Sequence, residues 1–131
     1  MLSRHPGKCR GPHGHSRTID IVMEADELSE DGMVIDFAEL KQAARQVMET
    51  YDHTLCVNSA DQRHAELKEI FGDALVSFPD QEPTTETLAR RVFDEIAGRL
   101  AGGRKRASSN APRLVRVRVS ETSSTWAEYE A

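Results

Sequence analysis

The sequence predicts an α+β domain in which antiparallel strands carry two long helices. Apolar and polar residues alternate in 18–25 and in 115–119, which is the pattern of half-buried strands. Residues 125–129 are predicted to be the hairpin partner of the second strand. In 37–51 and 84–101 apolar residues instead recur every three or four positions, which is typical of helices with one apolar stripe. The predicted order, β-β-α-(α)-β-α-β-β, favours helices packed on an antiparallel sheet.

The first strand is expected to form a hairpin. Residues 29–32 are predicted as its turn, because an Asp-Gly pair favours hairpins, and 33–35 as a short returning strand. Asp36 is suited to cap a helix that begins at Phe37. The apolar stripe of this helix is predicted to comprise Phe37, Leu40, Ala44, Val47, Met48 and Tyr51.

Shorter elements are expected between the two long helices. Residues 61–71 are predicted to form a short helix and 74–78 a short extended segment. Thr84 is suited as N-cap of the second long helix. The buried face of that helix is predicted to comprise Leu88, Val92, Ile96 and Leu100. Residues 102–112 are small and basic, and we interpret them as a flexible surface loop.

The composition fits one globular domain, residues 1–131, and excludes several function classes. Hydrophobic residues make up 38% and charged residues 30%, with a net charge of −5. Because no positive charge is in excess, we expect neither a nucleic-acid partner nor an anionic membrane surface. No apolar run approaches the roughly 18 residues of a membrane helix. The sequence has no signal-peptide core and its two cysteines form no disulfide framework, so we expect a cytoplasmic protein.

One candidate metal site lies near the N-terminus. His13 and His15 are two residues apart on an extended segment, point to the same side and suit zinc as imidazole ligands. Gly14 between them lets the backbone approach a metal or a substrate closely. Cys9 lies upstream among basic residues, where a thiol beside a metal serves as nucleophile or base. The alternative is a polar loop whose histidines coincide by chance.

Two further candidate sites each admit a purely structural explanation. Asp52 and His53 suit an acid–base relay, but adjacent residues rarely hydrogen-bond well, so the pair is expected to serve a third group such as the thiol. The alternative is a histidine favoured by the helix dipole. Glu121, which follows the last long strand, is suited to accept two N–H bonds from a guanidine-like ring edge, or is simply exposed. Thr84 and Thr85, taken alone, are capping residues.

Taken in order, these motifs resemble the 6-pyruvoyl-tetrahydropterin and 6-carboxy-tetrahydropterin synthase family. Five segments of the sequence are similar, in order, to motifs of this family. Residues 9–15 resemble its Cys-x3-His-Gly-His motif, residues 32–41 its Gly-Met-Val-x-Asp-Phe motif and residues 51–53 its Leu-Asp-His motif. Residues 83–89 resemble its Pro-Thr-x-Glu motif and residues 119–122 its closing Val-x-Glu-Thr motif. Two positions depart from the pattern: Tyr51 replaces a leucine, and Arg17 stands where an aromatic residue is common.

The resemblance implies the tunnelling fold (T-fold), a four-stranded antiparallel sheet with two helices on one face. It also implies assembly into homo-oligomers, usually hexamers. By the same resemblance His13 and His15 are zinc ligands, and Cys9 is the catalytic thiol with Asp52 and His53 as its acid–base partner.

The implied substrate is a pterin, 7,8-dihydroneopterin triphosphate. In the family pattern Glu121 anchors the pterin ring, and Thr84 and Thr85 approach it from a neighbouring chain. Zinc would hold and acidify the side-chain hydroxyls. The three-residue gap between Cys9 and His13 is typical of bacterial 6-carboxy-tetrahydropterin synthases. We therefore favour carbon–carbon cleavage with loss of acetaldehyde and triphosphate, an early step towards queuosine.

The family's third zinc ligand is a histidine at the end of an N-terminal strand that this sequence starts too late to contain. His5 is expected to match a loop residue instead. A catalytic zinc usually takes three protein ligands, so two explanations compete. Either the protein starts upstream of Met1, or the chain is a degenerate homologue that binds metal poorly.

Several functions therefore stay open at the level of sequence. The first is the zinc lyase, with 6-pyruvoyl-tetrahydropterin synthase activity as the alternative chemistry. The second is a non-catalytic pterin-binding homologue without full zinc ligation. The third, a generic metal-binding structural protein, gives no reason for Asp52, His53 or Glu121.

Overall fold

Five strands and three α-helices form an α+β fold in the computed structural model, which describes residues 1–102 and 111–131. In chain order they are β1 (Thr18–Glu24), α1 (Phe37–Tyr51), β2 (Leu55–Asn58), α2 (His64–Phe71), β3 (Leu75–Phe78), α3 (Thr85–Gly102), β4 (Arg113–Ser120) and β5 (Trp126–Glu130). Short 3-10 helices occupy Lys8–Arg10 and Gly72–Ala74. The predicted α+β class is confirmed, and most of the predicted loop at 102–112 lies outside the described residues.

The main sheet is antiparallel, in the order β1-β4-β5. β1 and β4 pair from Thr18 opposite Ser120 to Glu24 opposite Arg113, and β4 and β5 form the predicted hairpin. The β1–β4 register shifts after Val22 and leaves Val115 of β4 without a partner in β1. Such a bulge changes which residues face the core, so Leu114 is buried where the alternation predicted Val115.

The core lies where α1 and α3 cover the same face of this sheet. The predicted stripe of α3 is confirmed, since all four of its residues are buried, with Val92 and Ile96 fully enclosed. They pack with Val117 and Val119 of β4 in one cluster. Burial of each such side chain stabilises the fold by about 1.5–3 kcal/mol.

α1 begins as predicted but buries a slightly different stripe. The Asp36 side chain accepts a hydrogen bond from the Ala38 backbone N–H at 2.7 Å, which confirms the predicted N-cap. Phe37, however, is 73% exposed, and core contacts begin only one turn later at Leu40. The prediction for Phe37 was wrong because the first helical residue lies before the part of α1 that packs on the core.

The predicted hairpin partner of β1, residues 33–35, is not a strand. The turn itself forms, with the Gly32 N–H donating to the Ser29 carbonyl at 2.8 Å and Gly32 at a φ of 75°. Met33 then bonds back to Ser29 rather than to β1, because the loop closes on itself just before the cap of α1. β1 pairs instead with β4, nearly a hundred residues away.

A second, parallel sheet of two strands supports the N-terminal segment. β2 pairs with β3, and only the extended segment at 74–78 and the helix within 61–71 were predicted here. Met1 is buried against Val57 and Leu75, and its amino group donates to the Cys56 carbonyl at 3.1 Å. This anchors the segment that leads into the candidate site. Within the described ranges, no helix is long and apolar enough to cross a bilayer.

Candidate active site

One pocket of about 670 Å³ collects all the side chains that the sequence singled out for chemistry. Its walls come from the N-terminal segment, the end of α1, the start of α3 and the end of β4. The predicted site residues that line it are Cys9, His13, His15, Asp52, His53, Thr84, Thr85 and Glu121.

Strand register brings the two ends of the chain together at this pocket. Thr18 lies opposite Ser120 in the β1–β4 ladder, so the residues just beyond the ladder, Arg17 and Glu121, are neighbours. The histidine segment directly precedes β1 and therefore reaches the same place. Long-range antiparallel pairing, rather than any local motif, builds this half of the site.

Glu121 is the most heavily contacted acid of the pocket. Its Oε1 accepts hydrogen bonds from Arg17 Nη2 at 2.8 Å and from the Thr85 hydroxyl at 2.7 Å, and it lies 3.8 Å from His15 Nε2. Burial alone would raise the pKa of Glu121, but the hydrogen bonds from Arg17 and Thr85 outweigh burial and hold this pKa below its usual range. Glu121 is therefore a carboxylate at neutral pH.

Thr85 contacts Glu121 within one chain. The approach of Thr84 and Thr85 to the pterin ring from a neighbouring chain stays a prediction, but the Thr85 hydroxyl already bonds to Glu121 of its own chain. The reason is the position of α3, which packs on β4 and β5 and so brings its first residue beside the end of β4. Thr84 also caps α3 as predicted, through a 3.3 Å bond from the Thr87 N–H.

The histidine pair offers two imidazole ligands to a metal. The rings of His13 and His15 meet edge to face with centroids 4.9 Å apart. His13 Nδ1 lies 2.8 Å from the Gly11 carbonyl oxygen, so a proton on Nδ1 leaves Nε2 free as a ligand. Burial lowers the pKa of His15, and Glu121 offsets only part of this, so His15 is neutral at pH 7, as metal binding requires.

These two ligands do not complete a catalytic zinc site. In the part of the chain that the structure describes, no three His, Cys, Asp or Glu side chains are grouped to hold a metal ion. A catalytic zinc takes three protein ligands and keeps one open position. The donor set is thus one ligand short.

Asp52 and His53 form their own pair at the edge of the pocket. His53 Nδ1 lies 2.8 Å from Asp52 Oδ1, so this pair makes the direct contact that adjacent residues rarely achieve. The contact arises because His53 adopts a left-handed backbone with a φ of 54° directly after the C-cap of α1. Both side chains are largely exposed, so His53 is accessible for proton exchange with a bound molecule.

Two cysteines line the pocket in different settings. Cys9 lies on the short 3-10 helix Lys8–Arg10 and is partly exposed. Cys56 lies on β2, and burial raises the pKa of its thiol despite the nearby positive charge of Arg17. Cys56 is therefore an unreactive thiol at neutral pH.

Arg17 is a site residue to which sequence analysis assigned no role. Its departure from the aromatic residue common at this position was the only signal. The structure directs its guanidinium onto Glu121, and its Nε is buried without a hydrogen-bond partner among the described residues. The pocket thus contains one more cation than the motif pattern predicts.

Sequence comparisons match the whole chain to one family. The family model described as 6-pyruvoyl tetrahydropterin synthase matches residues 1–131. The 6-carboxy-5,6,7,8-tetrahydropterin synthase of Aquifex aeolicus is 33% identical, over 94% of this chain and 76% of that protein. The enzyme of the same name from Bacillus subtilis is 29% identical, over 94% of this chain and 70% of that protein.

Solved structures show the same architecture. An uncharacterized protein from Wolinella succinogenes superposes with a TM-score of 0.75 at 22% identity, covering 93% of this chain and 80% of that one. The 6-pyruvoyl tetrahydropterin synthase of Plasmodium vivax gives a TM-score of 0.65 at 18% identity, covering 91% and 80%. These likenesses confirm the T-fold, and the match over residues 1–131 shows that the chain belongs to the 6-pyruvoyl tetrahydropterin synthase family.

Proposed function

We propose that this protein is a lyase of the 6-carboxy-tetrahydropterin synthase type, acting on 7,8-dihydroneopterin triphosphate. With one water, the substrate gives 6-carboxy-5,6,7,8-tetrahydropterin, acetaldehyde and triphosphate, a reaction that would serve queuosine biosynthesis in the cytoplasm. The observation that carries the proposal is the single pocket in which the thiol, the Asp52–His53 pair and the ionised Glu121 meet. The names of the relatives from Aquifex aeolicus and Bacillus subtilis support the same chemistry.

Glu121 is proposed to select the pterin ring. A pterin presents a ring N–H and an exocyclic amino group side by side, and a carboxylate accepts both. The lowered pKa of Glu121 keeps that acceptor charged, and the Thr85 hydroxyl fixes its orientation. Ring binding at Glu121 leaves the substrate side chain to extend towards the walls that hold Cys9 and His53.

Cys9 and His53 are proposed to move the protons of the reaction. As the ring becomes a tetrahydropterin, its C6=N5 bond takes up two protons, one at C6 and one at N5. The two electrons come from oxidation of the adjacent side-chain carbon, which gives up its C–H and O–H protons. Cys9 is accessible in the pocket, and Asp52 holds His53 at 2.8 Å as an acid–base pair. Two separate proton carriers suit a reaction that removes a proton at one atom and delivers one at another.

Zinc is the proposed cofactor. His13 and His15 would supply two ligands, and the lowered pKa of His15 fits that role. When bound, the metal would acidify the side-chain hydroxyls of the substrate. The third ligand would come from outside this set of pocket side chains, from a second chain of a homo-oligomer such as the family's usual hexamer.

Two other functions follow from the same pocket. With the same protons moved but no carbon–carbon cleavage, the product would be 6-pyruvoyl-tetrahydropterin, without release of acetaldehyde. A non-catalytic pterin-binding homologue is the second candidate, and the incomplete set of zinc ligands favours it. It would retain ring binding at Glu121 and show no turnover.

Replacing each cysteine of the pocket separates the enzyme from the binding protein. We expect Cys9→Ala to reduce turnover of dihydroneopterin triphosphate by at least about 100-fold, the scale of a lost acid–base group, without weakening pterin binding. Cys56→Ala is the matched control, because it removes an unreactive thiol from the same pocket. It should retain turnover within about threefold.

Each outcome has a clear meaning. Turnover that survives Cys9→Ala would contradict the catalytic role of this thiol. An equal loss in both cysteine variants would point to a disturbed pocket rather than to catalysis. Pterin binding without any turnover in the unmodified chain would favour the non-catalytic homologue.

A further inference from the structure

The guanidinium of Arg17 occupies the carboxylate to which the proposed function assigns the pterin ring. Arg17 Nη2 donates to Glu121 Oε1 at 2.8 Å, and Thr85 donates to the same oxygen. In the described part of the chain, no protein group hydrogen-bonds to Glu121 Oε2. Only one of the two acceptor oxygens is therefore open to a ligand.

A guanidinium and the recognition edge of a pterin have the same donor pattern. Both are planar and present neighbouring N–H groups that match a carboxylate. The ring edge needs both oxygens of Glu121, one of which already accepts two hydrogen bonds. Arg17 and a pterin cannot both have full use of this carboxylate.

The position of Arg17 is suited to displacement. Its Nε is buried and has no hydrogen-bond partner within residues 1–102 and 111–131, which costs free energy as long as the guanidinium stays in place. The ion pair itself is partly exposed, with 25% of the Arg17 and 22% of the Glu121 side chain accessible. A partly exposed pair is weak enough for a ligand with two well-placed donors to replace it.

Resting on the proposed function, we propose that Arg17 is an internal competitor for the pterin site: it caps Glu121 in the free protein and leaves when the ring binds. Arg17 thereby sets a threshold for ligands. Molecules that present two neighbouring N–H donors displace it, and molecules with a single donor do not. This makes Arg17 a specificity-determining residue of the pocket.

Binding of pterin itself, followed by its fluorescence, tests this inference in the full chain. Removal of the competitor in Arg17→Gln should tighten binding by roughly fivefold, the scale of a partly exposed ion pair. Arg17→Lys keeps a cation without the planar guanidinium, so its pterin affinity should fall between those of the unmodified protein and Arg17→Gln. Arg118→Gln is the matched control, since Arg118 pairs with Glu128 at 2.8 Å on the same sheet, outside the pocket. It should leave pterin affinity unchanged.

A second readout follows Arg17 directly. The Nε–H resonance of Arg17, assigned by its loss in Arg17→Gln, should shift and exchange faster with water when pterin binds to the unmodified protein. A resonance that does not respond to saturating pterin would overturn the inference. Unchanged or weaker binding by Arg17→Gln would overturn it as well, since Arg17 would then assist the ligand.

Failure of this inference is distinguishable from failure of the proposed function. If the unmodified chain binds pterin and Glu121→Gln does not, ring recognition stands whatever Arg17 does. If neither the unmodified chain nor Arg17→Gln binds pterin, ring recognition fails and the competitor role fails with it.

Discussion

Replacing Glu121 by glutamine tests the ring-binding step with the least change of shape. Glutamine keeps one acceptor oxygen but exchanges the other for an amino group, which would face a donor of the pterin ring. It also removes the charge that holds Arg17 at 2.8 Å and Thr85 at 2.7 Å. The pocket keeps its size, so changes in affinity report on hydrogen bonding.

The expected loss follows from these contacts. A hydrogen bond to a charged acceptor contributes about 1.5–3 kcal/mol, and glutamine forfeits one of the two and weakens the other, about 3 kcal/mol in all. The ligand no longer has to displace Arg17, which returns about 1 kcal/mol. The net loss is about 2 kcal/mol, or roughly a 30-fold weaker Kd.

Titration calorimetry with pterin measures this loss directly. Glu128→Gln is the matched control, because Glu128 also pairs with an arginine at 2.8 Å and is similarly exposed, but lies outside the pocket. We expect its pterin affinity to match that of the unmodified protein. A Kd for Glu121→Gln within twofold of the unmodified protein would refute ring recognition by this carboxylate.

Two further predictions concern stability and metal. The carboxylate of Asp61 is buried and accepts hydrogen bonds from Ser3 and Arg63. The variant Asp61→Asn should therefore lower the free energy of unfolding by about 2 kcal/mol, measured by urea unfolding at pH 7. The hydrogen bonds of Arg63 hold the pKa of Asp61 well below its usual range, so this contribution is complete above the unfolded pKa of about 3.9 and is lost as pH falls further. Elemental analysis should find bound zinc lost in His13→Ala and in His15→Ala.

Each of these predictions has a control in the same chain. Asp94→Asn breaks an exposed pair with Arg90 at 3.9 Å and should change stability by less than about 0.5 kcal/mol. A gap between the unmodified protein and Asp61→Asn that stays constant down to pH 3 would contradict the pKa argument. His64→Ala removes a histidine bonded to Ser77 outside the pocket and should leave the zinc content unchanged. Equal zinc in all three histidine variants would argue against the proposed ligands.

The helices were predictable because their signals are local. Asp36 caps α1 through a bond to a residue two positions away, and the stripe of α3 is complete within its own sequence. The prediction of a strand at residues 33–35 was wrong for the opposite reason. A short apolar run after a turn fits a returning strand, but the partner of β1 was decided by β4 at the other end of the chain.

The site residues show the same difference between local and long-range signals. Residue types and spacing were enough to single out Cys9, His15 and Glu121, all of which line the pocket. What the sequence did not predict is how Glu121 is engaged. Its bonds reach Thr85 and Arg17, which lie 36 and 104 positions away, so only the folded sheet shows that both serve the same oxygen.

The most direct test of the proposed function is analysis of the products formed from 7,8-dihydroneopterin triphosphate by the purified, zinc-supplemented protein. Mass spectrometry of the pterin and an enzymatic assay of acetaldehyde measure the two fragments in the same reaction. We predict 6-carboxy-tetrahydropterin and acetaldehyde in equal amounts. Formation of 6-pyruvoyl-tetrahydropterin without acetaldehyde, or recovery of unchanged substrate, would contradict the proposed carbon–carbon cleavage.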